Sequence, residues 1–362
     1  MIKLSKCYLK IKDFMMLKPL LDYIPKLKDF YGIVFIALIS LVAIFFAKFH
    51  VCACVELSPL IISMVFGMLI GNIFYKQIPP VFFHGITYSL KKILRIAIVL
   101  LGFRITYQQI YNVGIAGFFV DFAMMVSTFL LAVWAGSKIF KLDRDTSILI
   151  GSGSAICGAS AVLATESVLK SEKYKAALAV ATVTIFGTLG MFLYPILYNN
   201  GYLPSFDSNL FGVYTGATIH EVAQVVAAGF EVSSEAGETS TIVKLTRVMM
   251  LAPLLIVLSF FIAKKNKGQK IDIKSVPIPW FVFVFIAASG INSLHMIPYE
   301  TIYMINEFDT FLLAMAMGAL GVETNIKKIK NAGLKPIYLA TLLFVWLVVG
   351  GYFITLLFAP FA

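Results

Sequence analysis

Apolar residues run along this chain in long unbroken stretches separated by short polar ones. The stretches do not alternate with a period of two, so they read as helices and not as strands. Each is about 20 residues long, enough to span about 30 Å of hydrocarbon. Backbone polar groups in lipid must be paired internally, which leaves helices or closed barrels. About eleven spans are predicted, at 32–50, 58–75, 92–111, 115–137, 147–168, 175–198, 210–229, 243–263, 279–297, 309–326 and 336–358. The expected fold class is therefore an all-α membrane protein of about 11 transmembrane helices.

Cations gather between the stretches. With the N-terminus inside, the inner loops hold Lys76, Lys91, Lys92, Lys138, Lys141, Arg144, Lys264, Lys265, Lys267, Lys270, Lys274, Lys327, Lys328, Lys330 and Lys335. Segments 231–242 and 298–309 carry Glu231, Glu235, Glu238, Glu300, Glu307 and Asp309 with no Lys or Arg, as expected of outer loops. The C-terminus then falls on the periplasmic side. One loop disagrees: Lys170, Lys173 and Lys175 fall outside. Either the fifth span is broken and does not cross simply, or this loop breaks the rule. Residues 1–31 hold seven lysines with no cleavable apolar core, and read as a cytoplasmic basic arm.

Composition narrows the class further. Of 362 residues, 60% are hydrophobic and 14% charged, against about 25% charged in a soluble domain. The net charge of +11 is accounted for by the loop lysines and does not call for nucleic acid. Cys7, Cys52, Cys54 and Cys157 form no disulfide framework. His50, Cys52 and Cys54 lack a full metal-ligand set, and small apolar filler at a helix end explains them as well. No nucleotide motif or nucleophile triad is present, so neither an enzyme nor an ATP-driven pump is expected, and no cofactor.

Four segments carry candidate chemistry. In Ile150–Ala161, Gly151, Gly153 and Gly158 accompany Ser152, Ser154 and Ser160, with Cys157 between them. Gly weakens helices and Ser offers competing hydrogen bonds. An unwound helix here would present backbone groups at membrane depth, where transporters bind ions and anionic groups. Tight helix–helix packing on small residues is the alternative. In Thr218–Gln224, His220 and Gln224 are four apart on one helical face, with Glu221 beside them. Ionisable residues inside a span are costly, and a His–Glu pair can carry a proton; helix capping is the alternative. Lys244 and Arg247 lie three apart at the outer start of the eighth span, and Arg104 lies within the third, while Arg95 can snorkel. Arg suits bidentate recognition of an oxyanion, or else an ion pair with Glu166, Glu221 or Glu323. Finally, Met315–Asn325 has small residues followed by Glu323, and reads either as a second broken helix or as an ordinary helix end. Pro195 and Pro253 are expected to kink their helices.

Two internal similarities suggest duplication. Residues 153–164 align without gaps on 216–227. Leu101-Gly102 with Ile110, Asn112 and Gly114 matches Leu320-Gly321 with Ile329, Asn331 and Gly333, at a different offset.

Gly-Ser-Ala-Ile-Cys-Gly-Ala-Ser-Ala (153–161), His-Glu-Val-Ala-Gln-Val-Val-Ala-Ala-Gly (220–229) and Lys-Leu-Thr-Arg-Val-Met-Met-Leu-Ala-Pro (244–253) together resemble the YeiH-like family, from about residue 30 onward. The family comprises bacterial inner-membrane proteins assigned as sulfate exporters, distantly related to bile-acid/sodium symporters and cation/proton antiporters. The resemblance implies one extra N-terminal helix (32–50) and two inverted five-helix repeats (57–198 and 210–360) with broken helices crossing at the midplane. Related folds are often dimeric, so a homodimer is one expectation it carries. The Asp pair or Asn-Asp of the proton antiporters is missing, since Asp121 is the one Asp in the interior of a span and lies outside the motif segments, Asp309 standing at a span's outer edge. The expectation is thus a secondary transporter of a small inorganic or organic anion in the lipid bilayer. Ser152, Gly153, Ser154, Cys157, Gly158, Ser160, Lys244 and Arg247 would bind the solute. His220, Glu221, Gln224 and Glu323 would couple a proton or ion. A cation/proton antiporter using Glu221, Glu166 or Glu323 is the rival.

Overall fold

The computed structural model describes residues 25–48, 57–265, 279–324 and 333–361, and among them there is helix and no strand. The arm before residue 25, the His50/Cys52/Cys54 group, Asn325 and the lysines of 266–278 and 325–332 lie outside the described residues.

The helices are α1 (Leu27–Ala47), α2 (Pro59–Ile73), α3 (Phe82–Tyr88), α4 (Leu94–Leu101) and α5 (Tyr107–Lys138). Next come α6 (Arg144–Ala155), α7 (Ala159–Leu169), α8 (Lys173–Asn199), α9 (Ser208–Thr218) and α10 (Val222–Val232). The series ends with α11 (Ser234–Met249), α12 (Leu251–Lys265), α13 (Trp280–Ser293), α14 (Tyr299–Glu323), α15 (Leu334–Val345) and α16 (Gly351–Phe358). Local chemistry sets many boundaries. Ser58 caps α2 with Pro59 in its first turn, Thr106 and Gln109 cap α5 reciprocally, and Asp143, Asp207 and Ser233 cap α6, α9 and α11. Pro253 cannot donate to the carbonyl of Met249, and α11 ends there.

Among the described residues, six helical runs are long and apolar enough to cross a membrane: Leu27–Ala47, Gly117–Lys138, Lys173–Asn199, Ser234–Phe261, Tyr299–Glu323 and Leu334–Phe358. The eleven expected crossings are therefore not reproduced as eleven membrane-length helices. Two of them, 147–168 and 210–229, are instead helical hairpins. In the first, Lys175 Nζ lies 3.0 Å from the Asp143 carboxylate, which brings the two open ends of α6–α7 together. In the second, Gly212 of α9 and Gly229 of α10 lie against the same turn of α11, around Ala236. The first hairpin opens where α8 begins and the second where α8 ends. α8 is about 40 Å long at 1.5 Å per residue, so the hairpins enter from opposite ends of the bundle. Their tips meet halfway along it, where Gly153 packs on Val183 and Gly187 on Gln224. The discordant loop Lys170–Lys175 thus lies at the same end as Lys138, Lys141 and Arg144.

The structure decides between the two readings of Met315–Asn325. Through Glu323 the segment is part of one continuous helix, α14, because its small residues serve packing. A Cβ on Gly67, Gly71 or Gly321 would strike backbone of the facing helix in the α2–α14 contact, and Gly32 and Gly85 bring α1 and α3 equally close. Ser63 Oγ adds a 2.7 Å bond to the Ala314 carbonyl. α1–α4, α13 and α14 form one glycine-locked body. α5–α12 with α15 and α16 form the other, which holds both hairpins. The two meet chiefly where α10 lies on α14 and α2, and where α13 lies on α5.

Candidate functional site

Each hairpin breaks in the same way. α6 stops at Ala155, with Ile156 as its C-cap, and α9 stops at Thr218, with Ile219 as its C-cap. Two residues then form each tip: Cys157 and Gly158 in the first, His220 and Glu221 in the second. The gapless similarity of 153–164 to 216–227 therefore places break on break, with Ile156 opposite Ile219. Gly158 has φ +66° and ψ −130°, a conformation that suits glycine alone, and a Cβ there would run into the Glu221 side chain. His220 and Gln224 do not share a helical face, because His220 lies in the break.

The tips close around three buried charges. Lys244, midway along α11, is 0% exposed, and its Nζ donates to the carbonyl of Ile156 at 2.7 Å and of Ile219 at 2.6 Å. It therefore joins the C-terminal ends of α6 and α9, where helix carbonyls lack partners and carry partial negative charge. Arg247, one turn further along α11, donates from Nε to Asp121 Oδ1 of α5 at 2.5 Å, and both residues are 0% exposed. Among the described residues, both terminal nitrogens of Arg247, Oδ2 of Asp121, Nδ1 of His220 and Oγ of Ser154 are buried without a hydrogen-bond partner. Buried polar atoms are rarely left so, and Nε of Arg104, Oδ1 of Asn306 and both carboxylate oxygens of Asp309 form a second such group. Lys244 and Arg247 do not lie at an outer helix end, as the hydropathy pattern suggests. α11 begins nine residues before the eighth predicted span, so Lys244 lies well inside the helix and Arg247 in its last turn, at the far end from its start.

Other expected site residues have structural placements. Ser152 bonds back to the Leu149 carbonyl, and Ser160 is exposed. Gln224 accepts from the Glu221 amide at 3.1 Å and donates toward Thr184 and Thr188, which anchors the second tip on α8. The Glu221 carboxylate takes the Ala159 amide at the N-terminus of α7, the position expected for an anionic solute, and Glu323 stands close enough to feel its charge. Glu323 itself accepts from Thr87 at 3.0 Å. Arg95 lies over the Phe281 ring.

Sequence reasoning missed two partners. Arg247 pairs with Asp121 and Arg104 with Asp309, not with Glu166, Glu221 or Glu323. Asp121 carried the available signal, an acid inside a span. Asp309 did not, because hydropathy placed it at the edge of an outer loop, whereas α14 begins ten residues earlier.

The family model described as "Conserved hypothetical protein 698" matches residues 31–340. The chain is 47% identical to a UPF0324 membrane protein of Yersinia pestis, covering 82% of this chain and 83% of that protein. It is 48% identical to a UPF0324 membrane protein of Pseudomonas aeruginosa, covering 83% and 86%. It is 45% identical to the UPF0324 inner membrane protein YeiH of Escherichia coli K12, covering 88% and 91%. No solved structure matches the chain.

Proposed function

The chain belongs to this UPF0324 membrane-protein family, and from that premise we propose that it is a secondary transporter of a small inorganic or organic anion, held between the two hairpin tips. The observation that carries this reading is Arg247, whose two terminal nitrogens are fully buried and unengaged. A guanidinium presents two parallel donors that fit an oxyanion, and a buried pair of such donors lacks only the acceptor. His220 Nδ1 and Asp121 Oδ2 lie within the same group and supply proton acceptors for coupling.

The orientation follows from the hairpins. With the N-terminus in the cytoplasm, the helices make nine crossings and each hairpin re-enters from its own side. Every lysine-rich loop then lies inside, Lys170–Lys175 included, and the C-terminus lies outside. The chain sits in the inner membrane as a transporter and not as an enzyme. Duplication takes a permuted form in this reading. The hairpin with its following helix repeats at the first offset, and α2–α5 repeats inverted in α13–α16 at the second. Movement is rocking of the hairpin body against the glycine-locked one.

One observation favours a second reading. Glu221, at the second tip, and Glu323, on α14, stand close enough to feel each other's charge, and such a carboxylate pair suits a cation/proton antiporter. Thermal unfolding of the purified protein separates the two, with sulfate, sulfite, thiosulfate, taurine, small carboxylates, sodium and lithium as ligands at two pH values. An oxyanion raises the midpoint, and Arg247→Lys, which keeps the charge but loses the fork, binds it at least about tenfold more weakly. Stabilisation by sodium or lithium alone, lost in Glu221→Gln, establishes the antiporter instead.

A further inference from the structure

We infer that the Lys244 ammonium occupies the place of an inorganic coupling cation, so that the hairpin tips are charge-balanced by the protein's own side chain and need no sodium. Ile156 and Ile219 are the C-caps of two helices that stop inside the bundle. A helix C-terminus carries about half a negative charge, so two together match one monovalent cation. Carbonyls at such interrupted helix ends are where membrane transporters coordinate sodium. Here both carbonyls are taken by one Nζ, at 2.7 and 2.6 Å, on a lysine with no exposed surface.

The surroundings fit a fixed cation. Asp121 faces Lys244 from α5, Glu221 and His220 from the second tip, Cys157 from the first, and Arg247 from its own helix. With Asp121 committed to Arg247, no carboxylate among the described residues bonds the ammonium, and the two helix ends are its counter-charge. A single side chain from α11 thereby pins both tips, which a diffusible ion would do only while bound.

This inference rests on the transporter reading for its consequence, sodium-independent coupling. Its test reads stability and needs no substrate. Purified wild-type protein, Lys244→Ala and Lys244→Gln are unfolded by heat in sodium, lithium, potassium or choline chloride at one ionic strength, and in ethylammonium chloride, which restores the missing group. The wild type is expected to unfold at one temperature in all five. Lys244→Ala is expected to unfold lower in choline and to regain on the order of 3–5 °C in sodium, lithium or ethylammonium. Lys244→Gln, which keeps an uncharged NH2 donor on a stem one atom shorter, is expected to fall below the wild type. The inference is overturned if the wild type is stabilised by sodium specifically, or if Lys244→Ala ignores the cation. It is equally overturned if Lys244→Ala cannot be purified in any salt while Lys244→Gln matches the wild type, since hydrogen bonding alone would then suffice. An anion effect in the wild type that depends on Arg247 is unaffected by any of these results.

Discussion

Among the described residues two arginine–aspartate pairs lie within the bundle, one part-buried and one fully buried, and they are used in different ways. Arg104 Nη2 reaches Asp309 at 3.2 Å, the Asn306 carbonyl at 2.6 Å and the Thr310 hydroxyl at 2.7 Å. Its guanidinium also lies over the Phe230 ring, so the pair ties α14 to the end of the second hairpin. Arg247 meets Asp121 through Nε alone and leaves both terminal nitrogens idle. The first arrangement spends one terminal nitrogen on three fixed neighbours, as a strut does, while its Nε and both Asp309 oxygens make no hydrogen bond. The second holds donors in reserve, which makes sense where a partner comes and goes.

The largest contrast should come from removing each carboxylate. Asp121→Asn leaves Arg247 buried without a counter-charge, and breaking a fully buried pair costs about 3–5 kcal/mol. Asp309→Asn leaves Arg104, which is 18% exposed, its carbonyl, hydroxyl and ring partners, and should cost about 1–2 kcal/mol. Denaturant unfolding in detergent measures both. A bound oxyanion should recover Asp121→Asn more than the wild type, because it replaces the missing charge, and should do nothing for Asp309→Asn. Equal losses and no recovery would make the two pairs alike and remove the case for a ligand at Arg247.

A smaller contrast tests the tip itself. Gly158 and Gly201 both have positive φ, at +66° and +75°. Around Gly201 the space is open, so Gly201→Ala carries only the backbone strain, about 1 kcal/mol. In Gly158→Ala the new methyl meets Glu221, and the tips must part or Glu221 must move. Gly158→Ala should therefore lose anion stabilisation as well as about 1–3 kcal/mol of stability. A variant as mild as Gly201→Ala, with anion binding intact, would show that the tips tolerate separation.

Much of this was legible in the sequence. Hydropathy located the helices, and Gly/Ser density located the first break, because glycine is disfavoured in a helix whatever surrounds it. The second break was hidden. Thr218–Gln224 holds no glycine, and Lys244 takes the Ile219 carbonyl by a tertiary contact, whereas the Glu221–Gln224 capping pair that starts α10 is local and fits the helix-capping alternative. Of the two readings of Met315–Asn325, the ordinary helix end held and the break did not, for the converse reason. Its glycines allow backbone contact with α2, and a small-residue pattern looks the same for either use. Whether 147–168 crosses was undecidable from hydropathy, but the misplaced Lys170, Lys173 and Lys175 did flag it.

The smallest effect lies at the mouth of the first hairpin, outside the membrane-spanning helices. Partial burial disfavours the charged Asp143 carboxylate, but the Thr146 hydroxyl and amide and the Lys175 ammonium outweigh it, and the carboxyl is held below its ordinary range. A depressed folded-state value means that the contribution is complete above the unfolded carboxyl's range, near pH 4, and is lost as pH falls through the folded value. Asp143 is 48% exposed, so the surface pair is screened and worth less than about 1 kcal/mol, and less again in high salt. Asp143→Asn should therefore lower stability slightly at neutral pH and converge on the wild type under acid. Were the pair absent, because α6–α7 crossed the membrane and its ends lay far apart, Lys175→Ala would add to Asp143→Asn without coupling. A double-mutant cycle in low salt decides it: a coupling of a few tenths of a kcal/mol keeps the hairpin closed at its mouth, and strict additivity opens it.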